Sequence, residues 1–268
     1  MFELLVILAV TGSVVAGIWD LFTTEVPDEI PALMIVLGLS LLLIESASKA
    51  DFTPLIISLM VGTVLLLAGI VIYKKGGWGG ADTWILAAIG YMVPVYNSHI
   101  FMIDYLPNFL IVSAAYMVVY ALILGMRNRS LFSYFGTELK LRWKVVVGAP
   151  IIFIAAVILI TASFSNLFAS INLMPVFLSS IIIFLLTIFW VYAKVIEKHE
   201  FKKRIPVGKL KAGDVLENMV WRGITEEELR EIRKAKRYVV IKEGVRFVPV
   251  FPITLVITLL YGGLLFGI

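Results

Sequence analysis

The chain has 268 residues, of which 60% are hydrophobic and 16% charged, with a net charge of +4 and a mean hydropathy of +0.99. An average soluble domain is about 25% charged, so a water-soluble enzyme, a disordered chain and a disulfide scaffold are excluded and a polytopic membrane protein remains. The absence of cysteine removes disulfides, thiolate zinc sites and cysteine nucleophiles together.

A hydrocarbon core needs about 20 apolar residues per helix. Eight stretches meet or approach that length: roughly 2–19, 30–46, 54–73, 83–98, 106–126, 145–165, 172–193 and 249–267. The first lacks a basic start and runs into Asp20 rather than a small-residue cleavage site, so it does not read as a removed signal peptide. The second and fourth are the shortest. Pro31, Pro94, Pro150, Pro175 and Pro252 fall within or at the ends of spans, where neighbouring helices can satisfy the freed backbone groups.

Positive charge divides the connections. The loop at 74–82 carries Lys74 and Lys75; the loop at 127–144 carries Arg127, Arg129, Lys140, Arg142 and Lys144; and 194–248 carries fifteen Lys and Arg. Only Lys49 lies on the other side. The positive-inside rule places the basic side in the cytoplasm, which puts both termini outside for eight spans. The soluble stretch at about 196–248 opens a short helix with a capping box, Thr225 to Glu228, running to about Arg237. Tyr238–Ile241 and Val245–Val248 flank Lys242-Glu243-Gly244 and read as a small hairpin. About 50 residues form a marginal domain alone, so this module is expected to lean on the membrane part, with anionic headgroups as a natural neighbour. The expected architecture is an all-α polytopic membrane protein of about eight transmembrane helices, with a small cytoplasmic α/β module before the last helix. The expected segments are a bundle at 1–195, the basic module at 196–248 and a final helix at 249–268.

Ionisable residues in or at the edge of a membrane are expensive and mark candidate functional positions. They are Glu3, Asp20, Glu45, Asp82 and Asp104. Glu3 and Glu45 lie at outer helix ends, and Asp104 lies with His99 in the outer loop; these three read as solvated. Asp20 and Asp82 share one depth on the basic side. Asp20 closes the first helix in Gly17-Ile18-Trp19-Asp20, facing the unfavourable end of the macrodipole. Asp82 follows Gly76-Gly77-Trp78-Gly79-Gly80-Ala81, a run that lets backbones approach closely. Asp82 is also a favoured N-cap for the fourth span. The glycine run lacks the preceding strand and the Gly-Lys-Ser/Thr of a phosphate loop.

Two carboxylates brought together at a membrane–water edge cannot both ionise cheaply, so they share a proton. One then takes a proton from water while the other protonates the carbonyl or the leaving nitrogen. That is peptide hydrolysis without a covalent intermediate. With two histidines, His99 and His199, and no HExxH motif, a zinc protease and a histidine-based serine protease are unsupported. No cofactor or metal and no nucleic-acid partner is expected. Two other classes compete: an ion- or proton-coupled transporter, in which glycine-interrupted helices and acids mark substrate sites, and a membrane scaffold with a basic lipid- or partner-binding module.

These residues resemble the archaeal preflagellin and type IV prepilin peptidases, membrane aspartic proteases of the GxGD type. The likeness rests on Asp20 followed by Val26-Pro27-Asp28, on Gly79-Gly80-Ala81-Asp82, and on a cytoplasmic segment preceding one last helix. Its motif-bearing part covers about residues 1–100. Ala81 stands where the strict motif has its second glycine. The spans at about 145–165 and 172–193 form an extra pair relative to the six-span arrangement of the preflagellin enzymes. The tetracysteine of the bacterial members is absent, so N-methylation is not implied. Presenilin-like proteases match less well: there is no Tyr-Asp pair, and Pro31-Ala32-Leu33 precedes the glycine motif. The resemblance implies Asp20 and Asp82 as catalytic residues, supported by Pro27, Gly79, Gly80 and Ala81. It also implies removal of a short basic leader from pilin-like or archaellin-like precursors at the cytoplasmic face. Glu25, Asp28 and Glu29, in a loop without Lys or Arg, are candidates to attract that leader.

Overall fold

The computed structural model describes residues 2–75, 78–96, 99–163, 173–217, 223–235, 237–242 and 244–264. Gly76 and Gly77 of the glycine run, Glu243 of the expected hairpin, and the extremities of the last three expected spans lie outside the described residues. The chain divides into two compact units, one of residues 1–116 and 205–268, the other of residues 117–204.

The first unit opens with three long apolar helices, α1 (Phe2–Thr23), α2 (Glu29–Lys49) and α3 (Thr53–Lys74), close to the expected spans. They are followed by α4 (Gly80–Met92). Its 13 residues rise only about 20 Å, short of the roughly 30 Å hydrocarbon core. The expected span at 83–98 is therefore a shorter helix with a hairpin after it. Pro94 has no N–H to continue the helix. Strands β1 (Val95–Tyr96) and β2 (His99–Ile100) pair antiparallel, Val95 opposite Ile100 and Tyr96 opposite His99. Phe101 N–H donates to Pro94 O at 3.2 Å and closes the turn.

Helix α4 exposes Trp84 but is buried from Ile85 onward, with Ile85, Ala87, Ala88, Ile89 and Met92 fully covered. It packs against α1, α2 and α3. Within a bilayer the tails are as apolar as leucine, so packing rather than water exclusion must hold such a helix, and small residues permit it. A Cβ on Gly38 of α2 would lie 2.7 Å from Met92 Cγ, and one on Gly69 of α3 would lie 2.7 Å from Thr83 Cγ2. Gly62 similarly faces the Tyr91 ring. Polar contacts fix the register: Ser58 Oγ donates to Tyr91 O at 2.5 Å, and Thr63 Oγ1 lies 2.9 Å from the Tyr91 hydroxyl.

Helix α5 (Met102–Arg127) begins in the first unit. Tyr105, Asn108, Phe109, Val112 and Tyr116 recur at helical spacing, and the polar members of this stripe reach the C-terminal segment. Asn108 Nδ2 donates to Thr258 Oγ1 at 3.0 Å and to Gly262 O at 2.8 Å, while its Oδ1 accepts Leu264 N–H at 2.9 Å. Tyr105 donates to Phe251 O at 3.3 Å, and Tyr116 donates to Arg246 O at 2.5 Å.

In the second unit the chain departs from the expected loop at 127–144. Helix α6 runs over Ser130–Ser163, so most of those basic residues are helical. An i,i+4 pair, Arg142 Nε to Glu138 Oε2 at 3.1 Å, supports that first part. Helix α7 (Leu173–His199) packs along α6. The Tyr134 ring stacks on His199 at 4.0 Å, and Arg142 lies over the Trp190 ring at 5.4 Å. Among the described residues, six helices are long and apolar enough to cross a membrane: α1, α2, α3, α5, α6 and α7.

After β3 (Lys202–Pro206) and a 3-10 turn at Val207–Lys209 come β4 (Val215–Leu216), α8 (Glu226–Ala235) and β5 (Tyr238–Lys242). Val207, Leu210, Ile224, Leu229 and Val239 form a small core of their own. The capping box is present: Thr225 N–H donates to Glu228 Oε2 at 2.9 Å, and Glu228 N–H to Thr225 Oγ1 at 3.3 Å. The hairpin is not the expected one. β5 pairs antiparallel with β4, Val215 opposite Lys242, and 245–248 forms no strand. Those residues are drawn instead to the helices, where Phe247 and Val248 join the main core. The chain then enters α9 (Val250–Tyr261), a 12-residue apolar helix over the described part of the last expected span.

Candidate active site

Asp20 lies in the last turn of α1, which continues three residues beyond it to Thr23. The helix ends because Thr24 turns left-handed, φ 63°, with its N–H donating to Asp20 O at 2.9 Å. A β-branched residue is rarely found there. Asp20 itself is 4% exposed. Its Oδ2 accepts the backbone N–H of Val248 at 3.1 Å. The helix dipole, unfavourable to a carboxylate here, is thus answered by an amide distant in sequence. Gly17, one turn back, makes the approach possible: a Cβ there would stand 3.1 Å from Pro249 Cα.

Asp82 is 6% exposed. It is not the N-cap residue expected from its sequence position. Gly79, in extended conformation, takes that place, and Asp82 is the third helical residue, because Gly80 and Ala81 already wind into α4. Asp82 Oδ2 reaches back to accept Gly79 N–H at 2.8 Å, which is the acidic half of a capping box. A Cβ on Gly79 would lie 3.2 Å from Asp82 Oδ2, whereas one on Gly80 would meet only the Tyr73 ring at 3.8 Å. The tight position in the motif is therefore Gly79. Ala81, in place of the second glycine, is half-buried against the main core.

Helices α1 and α4 are in contact, and each carries one of the two buried acids, whose sequence positions differ by 62 residues. The other expected residues are placed differently. Pro27 shapes the turn into α2, its C=O accepting Ile30 N–H at 3.1 Å. Glu25, Asp28 and Glu29 are exposed around that turn, with Asp28 at the N-cap position of α2 but without a side-chain capping bond.

Of the acids read as solvated, Glu3 is exposed, and Glu45 binds Lys49 Nζ at 2.6 Å. Asp104 departs from that reading: it is 2% exposed, and its Oδ2 lies 2.6 Å from His99 Nε2. The β1–β2 hairpin folds His99 back onto the start of α5, so an outer-loop acid becomes buried and paired.

Sequence reasoning missed the segment 246–248. Its contribution to Asp20 is made by main-chain amides, which no residue type announces. The one legible signal was Arg246, a lone cation directly before an apolar helix. Beside this segment an apolar groove of ≈390 Å³ opens between α1 and α9, lined by Leu21 and Pro249, the chain neighbours of Asp20 and Val248, and by Ile18 and Ile253.

A model of the type IV leader peptidase family matches residues 7–126. No curated protein and no solved structure matches the chain. The matched segment contains Asp20, Pro27, the whole Gly79–Asp82 motif and the helices that carry both acids. Residues 7–126, a little under half of this multi-pass membrane protein, are similar to the type IV leader peptidase family.

Proposed function

We propose that the protein is an aspartic endopeptidase that removes the short basic leader from pilin-like or archaellin-like precursors at the cytoplasmic membrane face. Asp20 and Asp82 are its catalytic residues. The observation that carries this reading is the pair itself: two buried acids from α1 and α4, each held by a backbone N–H, with no cation hydrogen-bonded to either among the described residues. Such a pair holds one proton between two carboxylates. The ionised member takes a proton from water, and the hydroxide formed attacks the scissile carbonyl carbon. The protonated member gives its proton to the carbonyl oxygen. The proton then held by the first carboxyl passes to the leaving nitrogen as the C–N bond breaks, and a hydroxyl of the intermediate returns its proton to the second carboxylate, which restores the starting pair.

Lys74 and Lys75, at the end of α3 and shortly before the glycine motif, support the cytoplasmic assignment of this end. The apolar groove beside the Asp20 segment supports approach of an apolar precursor helix along α1 and α9. The exposed Glu25, Asp28 and Glu29 offer negative charge to a basic leader.

The test is cleavage of a tagged, basic-leader precursor by membranes containing the protein, run beside Asp20→Asn and Asp82→Asn with folding of each checked. Wild type shortens the precursor and neither variant does. Cleavage by either variant at the wild-type rate would remove the two-aspartate mechanism. A silent wild type on both precursor classes would return the question to proton-coupled uptake.

A further inference from the structure

We infer that Phe109 is a positioning residue for the dyad: its ring is the common contact that keeps in register the two backbone amides holding Asp20 and Asp82. This rests on the two-aspartate reading proposed above and adds to it what aligns the pair.

The two acids are held in the same way. Asp82 accepts the N–H of Gly79 at 2.8 Å, and the residue before Gly79 is Trp78. Asp20 accepts the N–H of Val248 at 3.1 Å, and the residue before Val248 is Phe247. A peptide unit is planar, so each of these N–H groups sits on a plate joined to the Cα of the preceding aromatic residue through one soft dihedral. Where the aromatic residue is fixed, the next N–H has little freedom of direction left.

Both aromatic residues stand edge-on to one ring. Trp78 lies 6.4 Å from Phe109 with an interplanar angle of 78°, and Phe247 lies 5.9 Å from it at 87°. Such pairs have a preferred geometry, because the positive edge of one ring meets the negative face of the other. Phe109 is itself stacked with Tyr105 at 6.1 Å and tilted against Phe251 at 5.0 Å. The adjacent Asn108 ties this part of α5 to Thr258 and Gly262. Each outer aromatic also has an anchor of its own. Trp78 Nε1 donates to Gly69 O of α3 at 3.1 Å. On the other side Tyr116 OH donates to Arg246 O at 2.5 Å, and Val250 N–H donates to Phe247 O at 3.0 Å. A chain of contacts thus runs from one amide clamp to the other through Trp78, Phe109 and Phe247. Catalytic groups displaced by about 1 Å lose on the order of 10²-fold in rate, so a ring that couples the two clamps bears directly on kcat.

The test compares Phe109→Leu with Phe101→Leu in the full-length protein in detergent. Phe101 is fully buried in the same cluster, where its ring meets Tyr96 and Tyr105. Both variants exchange a ring for a smaller apolar side chain, so they share any purely structural cost. The readouts are hydrogen–deuterium exchange in peptides covering 78–82 and 246–248, and kcat for precursor cleavage per folded molecule. Phe109→Leu is expected to speed exchange in both segments and to lower kcat about tenfold with KM little changed. Phe101→Leu is expected to leave both segments and kcat close to wild type. Faster exchange in one segment only, or a Phe109→Leu protein indistinguishable from Phe101→Leu, would overturn the inference.

A second measurement needs no Phe109 variant. Losses at sites without a shared partner multiply in rate, whereas sites coupled through one do not. Trp78→Leu and Phe247→Leu together are expected to lose less in kcat than the product of their separate losses, and a simple product overturns the coupling. Cleavage by Asp20→Asn at the wild-type rate removes the dyad reading itself. The paired change in exchange is read without cleavage, so failure of the Phe109 role is distinguished from failure of the dyad.

Discussion

Helix α4 carries a buried acid in its first turn and another lies past its other end, and the two differ in what the acid meets. In the first turn, Asp82 accepts one amide, on a helix in contact with the one that carries Asp20. Past the other end, across the β1–β2 hairpin, Asp104 meets an imidazole at 2.6 Å. Both acids are almost fully covered, so burial alone does not distinguish them. The partner does. Asp104, bonded to a histidine, ties a hairpin to a helix. Asp82, in the reading proposed above, shares a movable proton with another acid.

The sharpest way to break this comparison is to neutralise each acid in turn. Asp20→Asn and Asp82→Asn are expected to lower kcat by about 10²–10⁴-fold with little loss of stability. Asp104→Asn is expected to leave kcat per folded molecule unchanged and to lower stability by about 2 kcal/mol, since it weakens a charge-assisted bond. Rates and denaturation in detergent measure both, and an Asp104→Asn enzyme as inactive as Asp82→Asn would erase the distinction. Next comes the backbone around the dyad. Gly79→Ala displaces the Asp82 carboxylate by a few tenths of an ångström and is expected to cost about tenfold in kcat, whereas Gly80→Ala, whose methyl makes only ordinary contact with the Tyr73 ring, should stay close to wild type. Equal losses would show that the motif acts through chain flexibility rather than contact.

A smaller effect is expected from the exposed acids. Neutralising Glu25, Asp28 and Glu29 together should raise KM for a basic-leader precursor a few-fold at low salt and hardly at all at high salt. An unchanged KM at low salt would remove them from substrate recognition. The smallest concerns the two left-handed residues, Thr24 on the dyad side and Ala50 at the other end of α2. Thr24→Gly should gain up to about 1 kcal/mol, and Ala50→Gly less, because alanine carries no β-branch. Thermal melting in detergent reads both, and a larger gain at Ala50 would argue against strain at the dyad turn.

Much of the bundle was legible because spanning length and apolar composition are local properties: α1, α2 and α3 fall near their expected ranges. The two aspartates stood out as candidates because charge is rare in such a chain. Three things were not. Helix α4 was read too long because the apolar run continues past Pro94, and apolarity does not separate a short helix plus hairpin from one span. Asp104 was read as solvated because His99 reaches it only through that hairpin. The segment 245–248 has strand-like alternation, but the demands of Asp20 and of the aromatic cluster around Phe109 outweigh a second strand pairing. In each case a partner distant in the chain decided what local pattern left open.

The bond from Val248 to Asp20 joins residues 228 apart in sequence, and this orders events in time. A ribosome that has finished the family-matched stretch has made both acids, the glycine motif and all of α4. It has not yet made the amide that holds Asp20. That bond forms only when the segment before α9 arrives, more than a hundred residues after α4. A nascent chain therefore carries both aspartates before it has the means to orient Asp20.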